Sequence, residues 1–257
     1  MKAKHFIMSS LVLLFVQVIV SCTYTKNALE IDGPKVTQVR PHRSFEQIEI
    51  MGSPTVCYTQ ADSFSVHVEG PENLVNEILT KVEDHTLVIR NRGKIGIINI
   101  SVGDMSQVTV YVTSPDLVGI CLNGSGDFMC RQQIDTDQMS VELRGSGDID
   151  IHDLICDQCV TTLVGSGDVN IRRLEAQTHE VGLTGSGDVK VEEHRVGVTD
   201  ITLRGSGDIA IDFAEGCKEA SCQLMGSGDI TLSGNLHRFS QHKTGSGDID
   251  TGSLIVK

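Results

Sequence analysis

The chain has 257 residues, a formal charge of −13 and an isoelectric point near 5.0. That length allows one or two domains and a sizeable core. The acidity argues against nucleic acid and against anionic head groups, because no basic patch is present to neutralise phosphates.

The chain opens with Lys2 and Lys4, then an apolar run, "FIMSSLVLLFVQVIV", over 6–20. The run is short for a membrane span and has the form of an export signal. Ser21 before Cys22 resembles a bacterial lipoprotein signal, which implies cleavage before Cys22 and lipidation of its thiol. Ile19, where Leu is usual, departs from that pattern; the other reading is an ordinary cleaved signal with Cys22 incidental. Residues 1–21 are thus read as a signal peptide. Its removal takes away Lys2 and Lys4 and moves the charge from −13 to −15. The expected location is the cell envelope, as an outer-membrane lipoprotein facing the periplasm or the outside, with the lipid as the sole membrane contact.

Residues 22–44 read as a polar tether with two prolines and no sustained period. From 45 to 257 the chain reads as one β-solenoid domain in two parts. In the first, 45–116, "SFEQIEIMGSPTVCYTQADSFSVHVEG" predicts three short strands with turns at 52–54 and 61–63. A helix is predicted over 71–82, where Pro71 suits a helix start and Leu74, Ile78 and Val82 recur at four-residue steps. "HTLVIRN" and "SQVTVYVTSP" return to strand.

The second part, 117–252, holds seven copies of Gly-Ser-Gly-Asp. The aspartates are Asp127, Asp148, Asp168, Asp188, Asp208, Asp229 and Asp248, at intervals of 21, 20, 20, 20, 21 and 19. A fixed period of this length marks a solenoid. One and three residues after each aspartate stand apolar side chains, such as Ile149 and Ile151, separated by residues such as Asp150, until Thr251 takes the third place in the last copy. Five and seven before it stand others, such as Leu143 and Val141. Both are strand alternations with one buried face. Each unit therefore reads as strand, glycine corner, strand and a looser return of eight to ten residues. In the last copy Lys243 and Gln241 break the apolar columns, as an end coil without a neighbour requires. Stacked at about 4.8 Å, seven coils would span about 29 Å.

The corner glycines permit φ > 0, and serine and aspartate can accept backbone N–H groups that a corner leaves unpaired. Stacking makes a ladder of seven carboxylates, which repel at about 5 Å by roughly 1 kcal/mol in water. Structural corner is the main reading; a calcium ladder is the sharper alternative. One carboxylate per corner falls short of the six to eight oxygens that calcium takes. No other cofactor is expected. Sevenfold repetition argues against catalysis, since seven equivalent serines cannot each own a His–Asp pair, and Gly-Ser-Gly is not the nucleophile elbow.

Eight cysteines are present, and seven remain once Cys22 is set aside. Export permits disulfides. Cys156-Asp157-Gln158-Cys159 lies in a return segment, not at a helix start, and reads as incidental or as a local disulfide. Cys217 and Cys222 could close a small loop, while Cys130 and Cys222 fall on inward columns. The histidines show no ligand spacing; "EEH" at 192–194 is the nearest and reads as a solvated turn. A polysaccharide-active enzyme is a weaker alternative, because the chain has no Trp and its three Tyr all precede the repeats.

Over about 45–252 the chain resembles the putative auto-transporter adhesin, head GIN domain family of bacterial envelope proteins. "FEQIEIMGSPTVCYTQ" is similar to the family's opening strand pair. "SFSVHVEGPENLVNEILTKVEDHTLVIRN" is similar to its strand–helix–strand, and "VTVYVTSPDLVGICLNGSGD" to its lead-in to the first corner. The resemblance implies an all-β, right-handed parallel β-helix and no catalytic residues. The expected role is a non-enzymatic, lipid-anchored module that binds an envelope, host or matrix partner.

Overall fold

The structure, a computed structural model, describes residues 34–92 and 107–257. The signal-peptide segment and Cys22 lie outside the described residues. Nineteen strands and one short helix are described, and all the strands join one continuous sheet.

The first part comprises β1 (Lys35–Arg40), β2 (Gln47–Gly52), β3 (Thr55–Gln60), β4 (Ser65–Pro71), α1 (Glu72–Val75), β5 (Ile78–Glu83), β6 (Thr86–Asn91) and β7 (Thr109–Ser114). The three strands expected over 45–71 are β2, β3 and β4. The tether reading of 22–44 needs correction, since Lys35–Arg40 forms a strand antiparallel to β4. The helix expected over 71–82 is also corrected. Only Glu72–Val75 is helical, and β5 follows, antiparallel to β6. A four-residue step is one helical turn but also two strand pleats, so Leu74, Ile78 and Val82 fit either period. Pairing with β6 decides for the strand.

Layer order does not follow chain order. β2 lies between β6 and β8 (Gly119–Gly124), parallel to both; β3 lies likewise between β7 and β9 (Asp127–Asp135). Gly52-Ser53-Pro54-Thr55 thus sits under Gly124-Ser125-Gly126-Asp127 and forms an additional corner that lacks the motif. Outside this layer β4 and β5 run antiparallel to β7 and β6. A parallel stack would otherwise end in an open edge, which recruits further strands.

Above β8 and β9 the coils repeat. The strands are β10 (Gln138–Gly145), β11 (Asp148–Ile155), β12 (Gln158–Gly165), β13 (Asp168–Glu175), β14 (Thr178–Gly185), β15 (Asp188–Glu193) and β16 (Val196–Gly205). They are followed by β17 (Asp208–Gly226), β18 (Ile230–Gly245) and β19 (Ile249–Val256). The wall β10–β12–β14–β16 is parallel and in register over eight residues per strand. The second wall runs β9–β11–β13–β15–β17.

The expected inward columns are buried. Leu122, Leu143, Leu163, Leu183, Leu203 and Leu224 are all 0% exposed. The files of Ile149 and Ile151 are buried as far as Ile230 and Leu232. The return segment is more regular than expected. It extends the second wall past a break in pairing at 152–153 and 172–173, and contributes its own inward file of Ile134, Leu154 and Leu174. In the last coil Gln241 and Lys243 are exposed.

Candidate functional site

The glycine corner explains itself in three dimensions. Gly145 has φ +140°, which side chains rarely adopt, and a Cβ on Gly147 would lie 1.9 Å from the Gly126 carbonyl oxygen. The close approach lets the Ser146 and Gly147 N–H groups share the Gly124 carbonyl, at 2.9 and 3.2 Å. The same pattern recurs in each coil up to Ser246 and Gly247 on Gly226.

The aspartates are aligned in one ladder. The N–H of Asp168 donates to Asp148 Oδ1 at 3.2 Å, Asp188 to Asp168 at 3.1 Å and Asp208 to Asp188 at 3.2 Å. Asp229 donates to Asp208 at 2.9 Å and Asp248 to Asp229 at 2.7 Å. At the ends Asp127 accepts from Thr55 Oγ1 at 3.4 Å, and Asp248 accepts from Lys243 at 2.7 Å. Each linking carboxylate is therefore occupied in closing the next corner. Six of the seven are exposed and Asp127 is half-buried. Among the described residues no group of three or more His, Cys, Asp or Glu is arranged to hold a metal ion.

Beside the ladder lies a shallow groove of about 520 Å³ lined by Asn170, Arg172, Lys190, Glu192, Asp212 and Ser233, among others. Next to it Asp150 accepts two bonds from Arg172, at 3.2 and 3.1 Å, and one from Asn170 at 3.2 Å. The β10–β16 wall has a plainer outer face. Val160 and Val164 are 40% and 41% exposed there, and a Cβ on Gly182 would meet open space.

Sequence reasoning missed a polar thread through the core. Glu193 stands in the inward file between Leu174 and Phe213. His179 stands between Cys159 and Thr199. His179 Nδ1 is 2.7 Å from Glu193 Oε1, and Thr199 Oγ1 donates to Glu193 Oε2 at 2.6 Å. His179 Nε2 meets Thr161 Oγ1 at 3.1 Å. All four side chains are at most 1% exposed. The "EEH" stretch thus divides: Glu193 turns inward, while His194 pairs outside with Glu192 at 2.7 Å and Glu215 at 3.3 Å.

Residues 44–216 match the family described as putative auto-transporter adhesin, head GIN domain. The chain belongs to this family. Head GIN domain relatives of known structure share the architecture. The crystal structure of a "putative adhesin" from Bacteroides fragilis is 25% identical with a TM-score of 0.74, over 86% of this chain and 98% of that one. A "putative adhesin" from Parabacteroides distasonis is 19% identical at 0.66, again over 86% and 98%. A "putative lipid binding protein" from the same species is 22% identical at 0.69, over 88% and 98%. No curated protein matches the chain. The family and these adhesin neighbours carry no enzyme's name.

Proposed function

We propose that this head GIN domain protein is a non-enzymatic envelope module, anchored through a lipid on Cys22, that presents an outer wall of its solenoid as a binding or adhesion surface. The observation that carries this reading is the β10–β16 wall. Four strands hold one register over eight residues, so outward side chains repeat in straight files on a flat, rigid face. Such a face suits an extended partner. The corner aspartates, in this reading, build the scaffold and leave recognition to the walls. Names given to the family and to the Bacteroides fragilis neighbour point the same way.

Protease shaving of intact cells tests it, with palmitate labelling of the wild type and of Cys22→Ala. The expected result is loss of wall epitopes on shaving and a label that depends on Cys22. Full protection of the chain in intact cells would remove adhesion to an outside partner, and labelling without Cys22 would remove the anchor.

A further inference from the structure

We propose that the N-terminal end of the solenoid holds an anion site for a phosphate group, built from Arg40, His42 and Arg92. They stand at the end of β1, in the turn after it, and just beyond β6, so the fold gathers cations that are far apart in the chain. They line one groove of about 600 Å³ together with Asn76, Leu79 and Thr80. The whole chain carries −13, yet among the described residues no carboxylate lines this groove.

Each cation is placed by a bond other than an ion pair. Arg40 Nη2 donates to the Val75 and Ile78 carbonyls at 3.3 and 3.4 Å, across the turn between α1 and β5. Among the described residues Arg40 Nε is buried with no acceptor, and the Nη1 donors have no partner. A guanidinium has five N–H donors, and two carbonyls leave its charge uncompensated. The His42 N–H donates to the Arg40 carbonyl at 2.8 Å, a tight turn that keeps both residues on the groove. His42 Nε2 meets Thr80 Oγ1 at 2.8 Å, which leaves Nδ1 unengaged. The Arg92 N–H donates to the Glu77 carbonyl at 2.6 Å, which fixes the chain beyond β6 beside the same turn, with the Arg92 side chain exposed. Among the described residues none of the three cations pairs with an acid, and Glu77, opposite Arg92, does not either.

Cations gathered in this way repel unless an anion lies among them. Burial, and then the Arg40 charge, hold the His42 imidazole below its ordinary value, against the Thr80 bond. A phosphate group supplies the missing negative charge. Its oxygens accept from Arg40 Nη1, from His42 and from Arg92 together, and guanidinium groups match such oxygens in paired bonds. The groove is much larger than one phosphate, so a substituent has room along Pro41 and Leu79. Phospholipid head groups carry such substituents; free phosphate does not. With a lipid on Cys22, this is the end of the solenoid nearest the membrane, but the anion chemistry does not depend on that anchor or on what the walls recognise.

The test is calorimetric titration of the full chain in a non-ionic detergent, at constant ionic strength, with inorganic phosphate and separately with dihexanoyl phosphatidic acid. Thermal melts accompany each titration, since a ligand of the folded state raises the melting temperature. The expected result is saturable binding of one equivalent. Arg92→Gln and His42→Gln should each weaken it, Arg92→Gln by about tenfold or more, and Lys218→Gln, an exposed cation on β17, should leave it unchanged. The Arg92 side chain makes no bond in the fold, so that variant keeps native circular dichroism and its loss is read as loss of the site. Tighter binding of phosphatidic acid assigns the site to a lipid head group; equal or weaker binding assigns it to free phosphate. No saturable binding of either up to about 10 mM overturns the proposal. So does wild-type affinity in both site variants, or a loss in Lys218→Gln as large as in Arg92→Gln.

Discussion

Glu193 Oε1 lies 2.7 Å from His179 Nδ1, with both side chains enclosed in an apolar solenoid. Removing one member of such a pair leaves the other without its partner, at a cost of about 3–5 kcal/mol. Replacing both by apolar groups of suitable size is commonly neutral or stabilising. His179→Leu alone should therefore lower stability by about 3 kcal/mol or more, since the Glu193 carboxylate keeps only Thr199. The double variant His179→Leu/Glu193→Leu should recover most of that loss, because Leu174 and Phe213 flank position 193 in its file. Urea melts of the single and double variants measure the difference; equal losses would contradict the expectation.

Gly147 in a corner and Gly182 on the β10–β16 wall should respond oppositely to alanine. In Gly147→Ala the new Cβ would collide with the Gly126 carbonyl at 1.9 Å, and the backbone on both sides must move. A loss of about 3 kcal/mol or more is expected. Gly182→Ala meets nothing within 4 Å and should gain up to about 1 kcal/mol by restricting the unfolded chain. Thermal melts followed by circular dichroism separate the two.

The aspartate ladder trades hydrogen bonding against like-charge repulsion. Asp168→Asn keeps an acceptor for the Asp188 N–H but removes one charge from the file. It should raise the melting temperature at low ionic strength, and the gain should fade by about 1 M salt, where screening is nearly complete. Asp168→Ala loses the acceptor and should be less stable than Asp168→Asn at every salt concentration. Wild-type melting should be unmoved by millimolar calcium; a clear upward shift would instead assign the ladder to cation binding.

His194 supplies a pH dependence with a definite sign. Burial pulls its imidazole down, but hydrogen bonds with Glu192 and Glu215 overcome this and hold it above its ordinary value. A raised folded value means stability that is complete below the unfolded value, about pH 6.5, and is lost as pH rises through the folded one. The melting temperature of His194→Gln should fall furthest below wild type near pH 5 to 6 and converge with it by about pH 8. A deficit that grows with pH would contradict the pairing.

The inward files were legible because alternation repeats in step with a marked corner, so Ile149, Ile171 and Ile209 align on their aspartates and are all buried. Glu193 escaped notice for a local reason. Leu154 and Leu174 stand six residues after their aspartates, whereas Glu193 and Phe213 stand five after theirs. The shorter return moves the glutamate into the core file while its sequence neighbours stay outside. His179 was hidden because its file lies in the return segment, which reads as loose. The additional corner at Gly52 lacks the aspartate and is paired with a coil 72 residues further along the chain, a separation that no local period reveals.

The register of the middle wall carries a consequence for how such a molecule changes length. Gln138, Gln158, Thr178 and Val198 follow one another at identical steps, and each strand offers its successor the same edge. Excision of 138–157 would join Asp137 to Gln158 and seat β12 on β8 without disturbing either terminal cap. Genetic slippage by whole units can therefore shorten or extend the rod by about 4.8 Å at a time, setting its reach independently of the surfaces at its ends.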